Sequence, residues 1–327
     1  MCITNSEGLT NLASISLFPF QFSKSYANFI KHQFGNEVIY FEKNVIIVPL
    51  EITGHRLFQH IKLLAPPFRA NKEISADESI SFFNDLQYEL KNSGKYIRIA
   101  QPHPMAFTSE KPSESKNCEF GTYITYLQNK SDEDLLNEFD VKYKKAVQHS
   151  IKNGGCVVID NNTLNEFYSI YLNTCKRANI YCDSLTYFKN LIAYLPDNTI
   201  TAIIKDEEGL TIGAAFFIFD NHRAYCTHAG SVGGSKLYGA MKHLHFEVIK
   251  WMRDKKVKEY DLTGVRINSN NETLQGIFKF KKGFGGDLKQ GYLWKSDLIK
   301  WKCHVYDLLV LLKSKGKKHQ DIIDQEQ

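Results

Sequence analysis

The sequence lacks the features of membrane-spanning and disordered proteins. No window approaches the ~20 apolar residues that a membrane span needs, and no basic segment precedes an apolar run at the N-terminus, so we expect neither a span nor a signal peptide. Proline is scarce, at 8 of 327 residues, and glycine accounts for only 20. With 43% hydrophobic and 24% charged residues, the composition is that of a globular protein, and the length suggests two domains.

Paired cysteines and a histidine metal site are also missing. The seven cysteines are scattered, with no C-x-x-C pair, which fits a reducing cytoplasm and argues against a disulfide framework or a zinc site. Among the eleven histidines, His243 and His245 lie two apart on a predicted helix and so point in different directions. We expect no bound metal, no permanently bound cofactor and a cytoplasmic location, with peripheral attachment at the inner face of the membrane left open.

Common catalytic and nucleotide-binding motifs are absent as well. There is no nucleophile elbow, Walker motif, H-E-x-x-H or G-x-G-x-x-G, and the Gly-Phe-Gly-Gly run at 283–286 lacks the G-K-[ST] of a phosphate loop. An enzyme with this sequence would work by positioning two substrates and stabilising developing charge. The net charge of +5 permits an anionic partner, such as a phosphate-bearing substrate or tRNA, without requiring one.

What the sequence does contain is a pattern that occurs twice. In the second half, three β-rich runs separated by short turns predict an antiparallel meander, followed by a long amphipathic helix and the strand Val257–Gly264. The three runs are Thr199–Asp206, Thr211–Phe219 and Arg223–Gly230. The first half repeats this order more faintly, with strands at 37–42, 44–53 and 57–65, a capped helix at 76–94 and a strand at 95–101. Unless the repeat arose by chance, the fold is α+β with two similar units.

These elements suggest domains at 1–130, 131–295 and 296–327, the last being an amphipathic helix that docks on the body and a frayed tail from Gly316. The segment 131–155 between the halves predicts a helix, with a capping box of Ser131 and Asp134 at its start. On its surface Lys142 and Lys145 share one face, which is either a solvated face or an anion-binding one.

The stretch GIFKFKKGFGGD, residues 276–287, alternates aromatic and lysine side chains before a run of glycines. The alternation predicts a strand at Phe278–Lys281 that enters a glycine turn, with Lys279 and Lys281 on the same face.

Four segments resemble the FemABX-like branch of the GNAT acyltransferase superfamily, whose members include peptidoglycan bridge-forming aminoacyltransferases. They are KYKKAVQHSIKNGGCVV, FYSIYLNTCKRANIYCDSLTYFKNL, EYDLTGV and GIFKFKKGFGG, which follow one another in the family's order. The first half resembles the family only in architecture. The resemblance implies two tandem GNAT-like units, with mixed and largely antiparallel sheets, and a reaction that joins an acyl or aminoacyl carbonyl to an amine.

The resemblance also implies roles for individual residues. Lys281 matches the family's signature lysine and would stabilise the oxyanion, and Phe280 would shield the site from water; the alternative for Lys281 is an exposed strand lysine. Asp261 would either accept the amine's proton or cap the following turn. Arg177 would suit a diphosphate, which a guanidinium can bind bidentately, although it is equally consistent with a surface arginine. Tyr187 would contribute to the substrate site or, with the adjacent phenylalanine, to the core.

The donor is the least determined part of this expectation. Acetyl-CoA enzymes of the superfamily carry a basic, glycine-rich turn for the pyrophosphate, whereas the loop Ala229–Ala240 has glycines but no basic residue in the required place. Backbone N–H groups of Ser231, Gly233 and Gly234 remain available to a phosphate. We therefore favour aminoacyl-tRNA over CoA as the donor, without excluding another thioester such as an acyl carrier protein.

Three functions follow as alternatives. The first is an acyl- or aminoacyltransferase acting on an amine of a cell-envelope precursor, such as a sugar nucleotide, or of a surface glycan. The second is an N-acyltransferase that uses acyl-CoA and an amino sugar. The third is a non-catalytic module that binds tRNA or an anionic glycolipid, with the steep salt dependence that charge neutralisation brings. Its contacts would be Lys142, Lys145, Lys281 and Lys282. The oligomeric state does not follow from the sequence.

Overall fold

The computed structural model describes residues 2–5, 19–70, 72–234, 237–313 and 321–326, with the backbone alone for 2–5. Within these ranges the chain forms twelve strands, in sequence β1 to β12: Cys2–Asn5, Glu37–Lys43, Ile46–Thr53, Gln59–Leu63, Tyr96–Ile99, Lys116–Tyr126, Cys156–Ile159, Thr199–Lys205, Thr211–Phe219, Arg223–Ser231, Glu259–Asp261 and Asp287–Asp297. It also forms ten helices, α1 to α10: Lys24–Phe34, Ala76–Asn92, Asp132–Glu138, Val141–Lys152, Leu164–Ala178, Leu185–Tyr194, Ala240–Asp254, Glu272–Lys282, Lys300–Lys313 and Ile322–Gln325. The predicted α+β class is confirmed.

The chain divides into two compact units that exchange segments of sequence. Unit 1 comprises Met1–Gly121, Arg266–Asn270 and Gln290–Gln327, and unit 2 comprises Thr122–Val265 and Asn271–Lys289. The domains predicted from the sequence are each one continuous segment, whereas each of these units combines separate segments. The predicted domain boundaries stay a prediction.

In unit 1 the strands follow the order β1-β2-β3-β4-β5-β12. Strands β2, β3 and β4 form the predicted antiparallel meander, and β5 pairs with β4 in parallel after α2. Helix α2 begins at a complete capping box formed by Ser75 and Glu78, and it buries Phe83 and Leu86 against the sheet. The periodic apolar face of this helix thus explains its position over the strands.

In unit 2 the order is β6-β11-β10-β9-β8-β7, and the same sequence of elements recurs. The meander β8-β9-β10 leads into α7 and then into β11, which is parallel to β10. Both faces of β9 are buried: Phe217 packs toward the cluster that contains Leu244 of α7, while Phe216 packs against Phe167 of α5. The twofold pattern predicted from the sequence is therefore present in the structure.

Strand β11 pairs with β10 along its whole length, but it reaches only the first three residues of β10. Pairing runs from Arg223 with Glu259 to Tyr225 with Asp261, whereas β10 continues to Ser231 alongside β9. A bulge between Cys226 and His228 marks the position where β10 leaves β11. The edge of β10 beyond Tyr225 is consequently open toward β11, and the candidate site is built there.

The predicted strand at Phe278–Lys281 is wrong, because this segment is part of helix α8. The side chain of Asn271 accepts bonds from the backbone N–H groups of Thr273 and Leu274, which caps the helix. At 100° per residue, Lys279 and Lys281 lie on different sides of α8 and do not share a face. The local cap therefore outweighs the alternation of aromatic and basic residues.

The glycines after α8 allow a close approach of backbone segments. Gly285 and Gly286 have φ values of 74° and 75°, and a Cβ on them would lie 2.1 Å from the Glu138 oxygen and 2.4 Å from the Ile124 oxygen, respectively. A residue with a side chain would be strained at these φ values, and its Cβ would be too close to the neighbouring backbone. Close packing of the chain therefore explains the glycine run without a phosphate-binding role.

Two further segments refine the sequence prediction. The segment 131–155 forms two helices, α3 and α4, and the predicted capping box of Ser131 and Asp134 is present at the start of α3. The tail predicted to fray is ordered from residue 321 to 326, where Ile323 is buried and Lys295 pairs with Asp321 at 2.7 Å. That prediction is wrong for these residues; 316–320 and 327 lie outside the described residues.

Candidate active site

Lys281 is bound by backbone carbonyls next to the parting strands. Its Nζ donates to the oxygen of Thr263 and, at 2.7 Å, to that of Gly264. Burial lowers the pKa of Lys281 to about 8, an effect partly opposed by Cys226 and Asp261. Within the described ranges no carboxylate lies within 4 Å of this ammonium. The group is therefore still mostly protonated at neutral pH, with no counter-ion in contact.

Thr263 organises this arrangement from a strained backbone conformation. It has φ of 46°, a value that β-branched residues seldom adopt. Its N–H donates to Asp261 Oδ1 at 2.7 Å, its hydroxyl donates to the carbonyl of Cys226 on β10, and its own carbonyl accepts from Lys281. These three bonds compensate for the strain and fix the direction of the carbonyl that receives the lysine.

Asp261 is buried at the end of β11 and its carboxylate is already engaged. Oδ1 accepts from the Thr122 hydroxyl at 2.5 Å and from the N–H of Thr263, and Oδ2 lies 3.6 Å from Arg223. Burial raises the pKa of Asp261, whereas Arg223, Thr122 and Thr263 lower it. Of the two roles left open by the sequence, capping the following turn is the one its hydrogen bonds perform; proton acceptance stays a prediction.

Phe280 lies in an aromatic cluster beside a second lysine. Its ring centroid is 5.1 Å from Phe284 and 6.2 Å from Tyr143, and the Nζ of Lys242 lies over the Tyr143 ring at 4.7 Å. Burial lowers the pKa of Lys242. The sequence did not single out Lys242, because its position on α7 looks like that of any surface lysine. The shielding role of Phe280 stays a prediction.

Arg177 and the glycine loop, predicted separately, come together in the structure. The guanidinium of Arg177, at the exposed end of α5, donates to the oxygen of Ser231 at 2.9 Å, and its Nη1 would lie 3.3 Å from a Cβ on Gly233. Gly234 follows with φ of 76° and is exposed. A basic group therefore does lie beside this loop, although it comes from a helix more than fifty residues earlier, where a search of the loop sequence cannot find it.

His228 and Asp183 form a polar pair that sequence reasoning missed. His228 Nε2 lies 3.2 Å from Asp183 Oδ2, and its Nδ1 lies 3.0 Å from the Thr227 hydroxyl at the bulge of β10. The imidazole packs edge-on against Phe188 and Tyr171 at 4.9 and 5.3 Å. No sequence signal joins two residues 45 positions apart.

The remaining predicted residues are more peripheral. Tyr187 is partly buried on α6 with its ring 6.0 Å from His228, while the adjacent Phe188 is fully buried and belongs to the core. Lys142 and Lys145 are exposed on α4, and among the described residues neither forms an ion pair. The structure thus brings Arg177 together with Ser231 and Gly233, and Lys281 together with Asp261.

Three further findings concern the described residues. No group of three or more His, Cys, Asp or Glu side chains among them is arranged to hold a metal ion. His243 and His245, both on α7, bond to Ser150 at 3.1 Å and to the Tyr260 hydroxyl at 2.6 Å, respectively. None of the helices in these ranges is long and apolar enough to cross a membrane.

The two repeated units are those expected of a tandem GNAT-like fold. Comparison with known families gives the more specific assignment: the FemAB family matches residues 107–203 and 197–291, together more than half of the chain. The chain belongs to the FemAB family.

Individual relatives are distant. The chain is 24% identical over 166 residues to the UDP-N-acetylmuramoylpentapeptide-lysine N(6)-alanyltransferase of Weissella viridescens, and this match covers 50% of the chain and 48% of that protein. It therefore spans about half the length of this curated relative.

The solved structures agree with the fold along most of the chain. The crystal structure of FemX matches with a TM-score of 0.67 and 14% identity, covering 94% of this chain and 99% of that chain. The C-terminal domain of a putative lysylphosphatidylglycerol synthetase from Agrobacterium fabrum matches with a TM-score of 0.56 and 12% identity, covering 94% and 96%. At these identities the likeness concerns the fold, and it confirms the predicted fold class.

Proposed function

We propose that this protein transfers an aminoacyl group from an activated donor to an amine of a cell-wall precursor. The supporting comparisons are membership of the FemAB family and the partial likeness to an alanyltransferase whose name specifies a lysine N6 of UDP-N-acetylmuramoyl pentapeptide as acceptor. The observation that carries the proposal is Lys281, whose ammonium lies where β10 and β11 separate and, among the described residues, donates only to backbone carbonyls.

The chemistry needs a cation where negative charge develops. The acceptor nitrogen attacks the donor carbonyl, forms the amide bond and displaces the donor's ester oxygen, which leaves as a hydroxyl carrying the proton lost by the amine. Between these events the carbonyl oxygen bears a negative charge. Lys281 stabilises this oxyanion, because its desolvation strengthens the attraction. Since no carboxylate of the described residues pairs with this carbonyl-bound ammonium, its charge stays available.

The second requirement is to position the acceptor, and β10 is suited to do so. The Cys226 carbonyl accepts from the Thr263 hydroxyl, and the Ser231 carbonyl accepts from Arg177. The two residues are five positions apart on this strand. At about 3.3 Å per residue the two points are roughly 16 Å apart. An extended acceptor with a diphosphate at Arg177 can therefore place its amine toward Lys281, and a guanidinium suits the diphosphate because it can bind two oxygens at once.

Aminoacyl-tRNA is the donor that we propose. Lys142 and Lys145 are exposed on α4 and suited to contact a nucleic-acid backbone, whereas Arg177 serves the acceptor in this scheme. The proximity of Arg177 to the Ser231–Gly234 loop supports one alternative, in which this cradle binds the pyrophosphate of an acyl-CoA and the acceptor is an amino sugar.

The donor can be identified directly. Purified protein is incubated separately with alanyl-tRNA, acetyl-CoA and an acyl carrier protein thioester, each with and without UDP-N-acetylmuramoyl pentapeptide, and acceptor-dependent deacylation is measured. We expect deacylation of alanyl-tRNA only, with the amide product detected by mass spectrometry. Turnover of acetyl-CoA with an amino sugar would support the alternative, and no turnover with any donor would contradict both.

A further inference from the structure

Helix α9 exposes a continuous stripe of large apolar side chains. Trp301, Leu308 and Leu312 are 66, 57 and 68% exposed, and Val305 and Leu309 are exposed as well. At 100° per residue these five positions fall within about 100° of the helix circumference, so they form a single stripe along the axis. A contiguous exposed apolar surface with a polar border often marks a site of interaction with another protein or a membrane.

The stripe is not the face by which α9 is held in unit 1. The opposite side carries Cys303, which is buried and donates to the Ile97 oxygen, and Asp307, which pairs with Arg98 at 2.8 Å. Tyr306 also packs there, with its ring 4.6 Å from that of His60. The helix is thus already docked through one face, and the apolar stripe faces away from it.

Lysines border one edge of the stripe. By helical position Lys302 and Lys313 lie along this edge, and Lys313 is exposed, whereas Lys300 lies on the side of Asp307. Asp307, the one acidic residue of α9, is neutralised by Arg98. An apolar surface with a basic border complements a surface that is apolar inside and negatively charged at its boundary.

We propose that the outward stripe of α9 binds the surface of an anionic lipid bilayer, with the helix axis in the membrane plane. Fourteen residues make a helix of about 21 Å, and only one face is apolar, so the geometry suits insertion at the headgroup boundary and not a span. Tryptophan is a side chain suited to that boundary, because its ring is apolar and its N–H is polar. A second copy of this chain is the less suitable occupant, since two lysine-bordered stripes would bring like charges together.

Vesicle flotation with the full-length protein tests the apolar part. We expect binding to vesicles of phosphatidylcholine with 30% phosphatidylglycerol. The affinity should fall by at least about tenfold in Leu308→Ser/Leu312→Ser, because each substitution removes methylene groups that would be buried in the bilayer. The matched control is Leu57→Ser/Leu210→Ser, which alters two similarly exposed leucines elsewhere and should bind normally. Circular dichroism of each variant verifies that it is folded.

The charged border gives a second, independent arm. Lys302→Gln/Lys313→Gln should weaken binding by more than about tenfold, at roughly fivefold per lysine, and wild-type binding should weaken with added salt and vanish on pure phosphatidylcholine. The control Lys24→Gln/Lys31→Gln removes the same net charge from exposed positions on another helix and should have a much smaller effect.

Two results would overturn the proposal. One is the absence of binding to anionic vesicles by the folded wild-type protein, or equal binding by the Leu308→Ser/Leu312→Ser variant. The other is sedimentation of the wild-type protein as a dimer that Leu308→Ser/Leu312→Ser dissociates, which would assign the stripe to a second copy. Quenching of Trp301 fluorescence by brominated lipid, absent in Trp301→Phe, would place the helix in the bilayer. Activity on a soluble acceptor should be unchanged throughout, so failure here is distinct from failure of the proposed reaction.

Discussion

The two units share the same order of strands, but the cation beside the parallel strand has different partners in each. In unit 1, Arg98 on the parallel strand β5 pairs with Asp297 at 2.5 Å and Asp307 at 2.8 Å. In unit 2, Lys281 lies beside the parallel strand β11 and is bound by two carbonyls, with no carboxylate of the described residues within 4 Å. A cation neutralised by two carboxylates contributes to stability, whereas a cation held by neutral dipoles can still act on a substrate's charge.

Removing the unit 1 cation, Arg98, should destabilise the protein more than removing an exposed arginine. Arg98→Met leaves the partly buried Asp297 without its partner, whereas Asp307 is 55% exposed and loses little, so we expect the free energy of unfolding to fall by about 2 kcal/mol. Urea denaturation followed by circular dichroism measures this, with the exposed Arg56→Met as control, expected to change it by less than about 0.5 kcal/mol. If Arg98→Met is no more destabilising than Arg56→Met, the contrast between the units is wrong.

The pKa of Lys281 provides the next prediction. Because burial lowers that pKa to about 8, the ammonium is lost as the pH rises through 8, while an arginine at this position stays charged. The ratio of the Lys281→Arg rate to the wild-type rate should therefore rise about tenfold per pH unit above pH 8, whatever the ionisation of the acceptor amine. Initial rates between pH 6.5 and 9.5 give this ratio, and a constant ratio would contradict a charged role for Lys281.

The same shift affects stability. The folded-state pKa lies below the ordinary value of 10.5, so the unfolded chain binds more protons between pH 8 and 10.5. The cost of burying the charged lysine is present below pH 8 and is relieved as the pH rises across that window.

Thr263 should show the smallest effect, acting as a positioning residue. Thr263→Val keeps the branched shape but removes the hydroxyl that donates to Cys226, which is worth about 1 kcal/mol, or roughly fivefold in kcat. A positioning role predicts that kcat falls while KM is retained, and that Thr263→Ser, which can still donate, recovers the rate. Equal losses in both variants, or a loss confined to KM, would assign Thr263 to another role.

Most helices and strands with a clear periodicity of apolar residues were predictable from the sequence, whereas the arrangement of the candidate site was not. The meander β8-β9-β10 and helix α7 follow from local apolar patterns, and α2 also from its capping box. Helix α8 was misread because alternating phenylalanines and lysines imitate a strand, whereas the cap at Asn271 decides the structure. A short alternation is therefore weaker information than a capping residue.

The partners of the site residues depend on tertiary contacts between distant segments. Lys281 could be identified through a family motif, but its carbonyl partners at Thr263 and Gly264 depend on the conformation of the chain after β11. Arg177 reaches its loop across 54 residues. Such contacts leave no periodic signal in a single sequence, so the sequence nominates candidate residues one by one but does not predict which of them lie together.

The central claim is that the Lys281 ammonium stabilises the oxyanion, and a single-turnover rate with saturating aminoacyl donor and acceptor tests it most directly. Lys281→Met should lower this rate by about 10²-fold, the scale for losing one oxyanion partner, while Lys279→Met, an exposed lysine two residues earlier on α8, should leave it within about twofold. A Lys281→Met protein that is folded and turns over at the Lys279→Met rate would contradict the account.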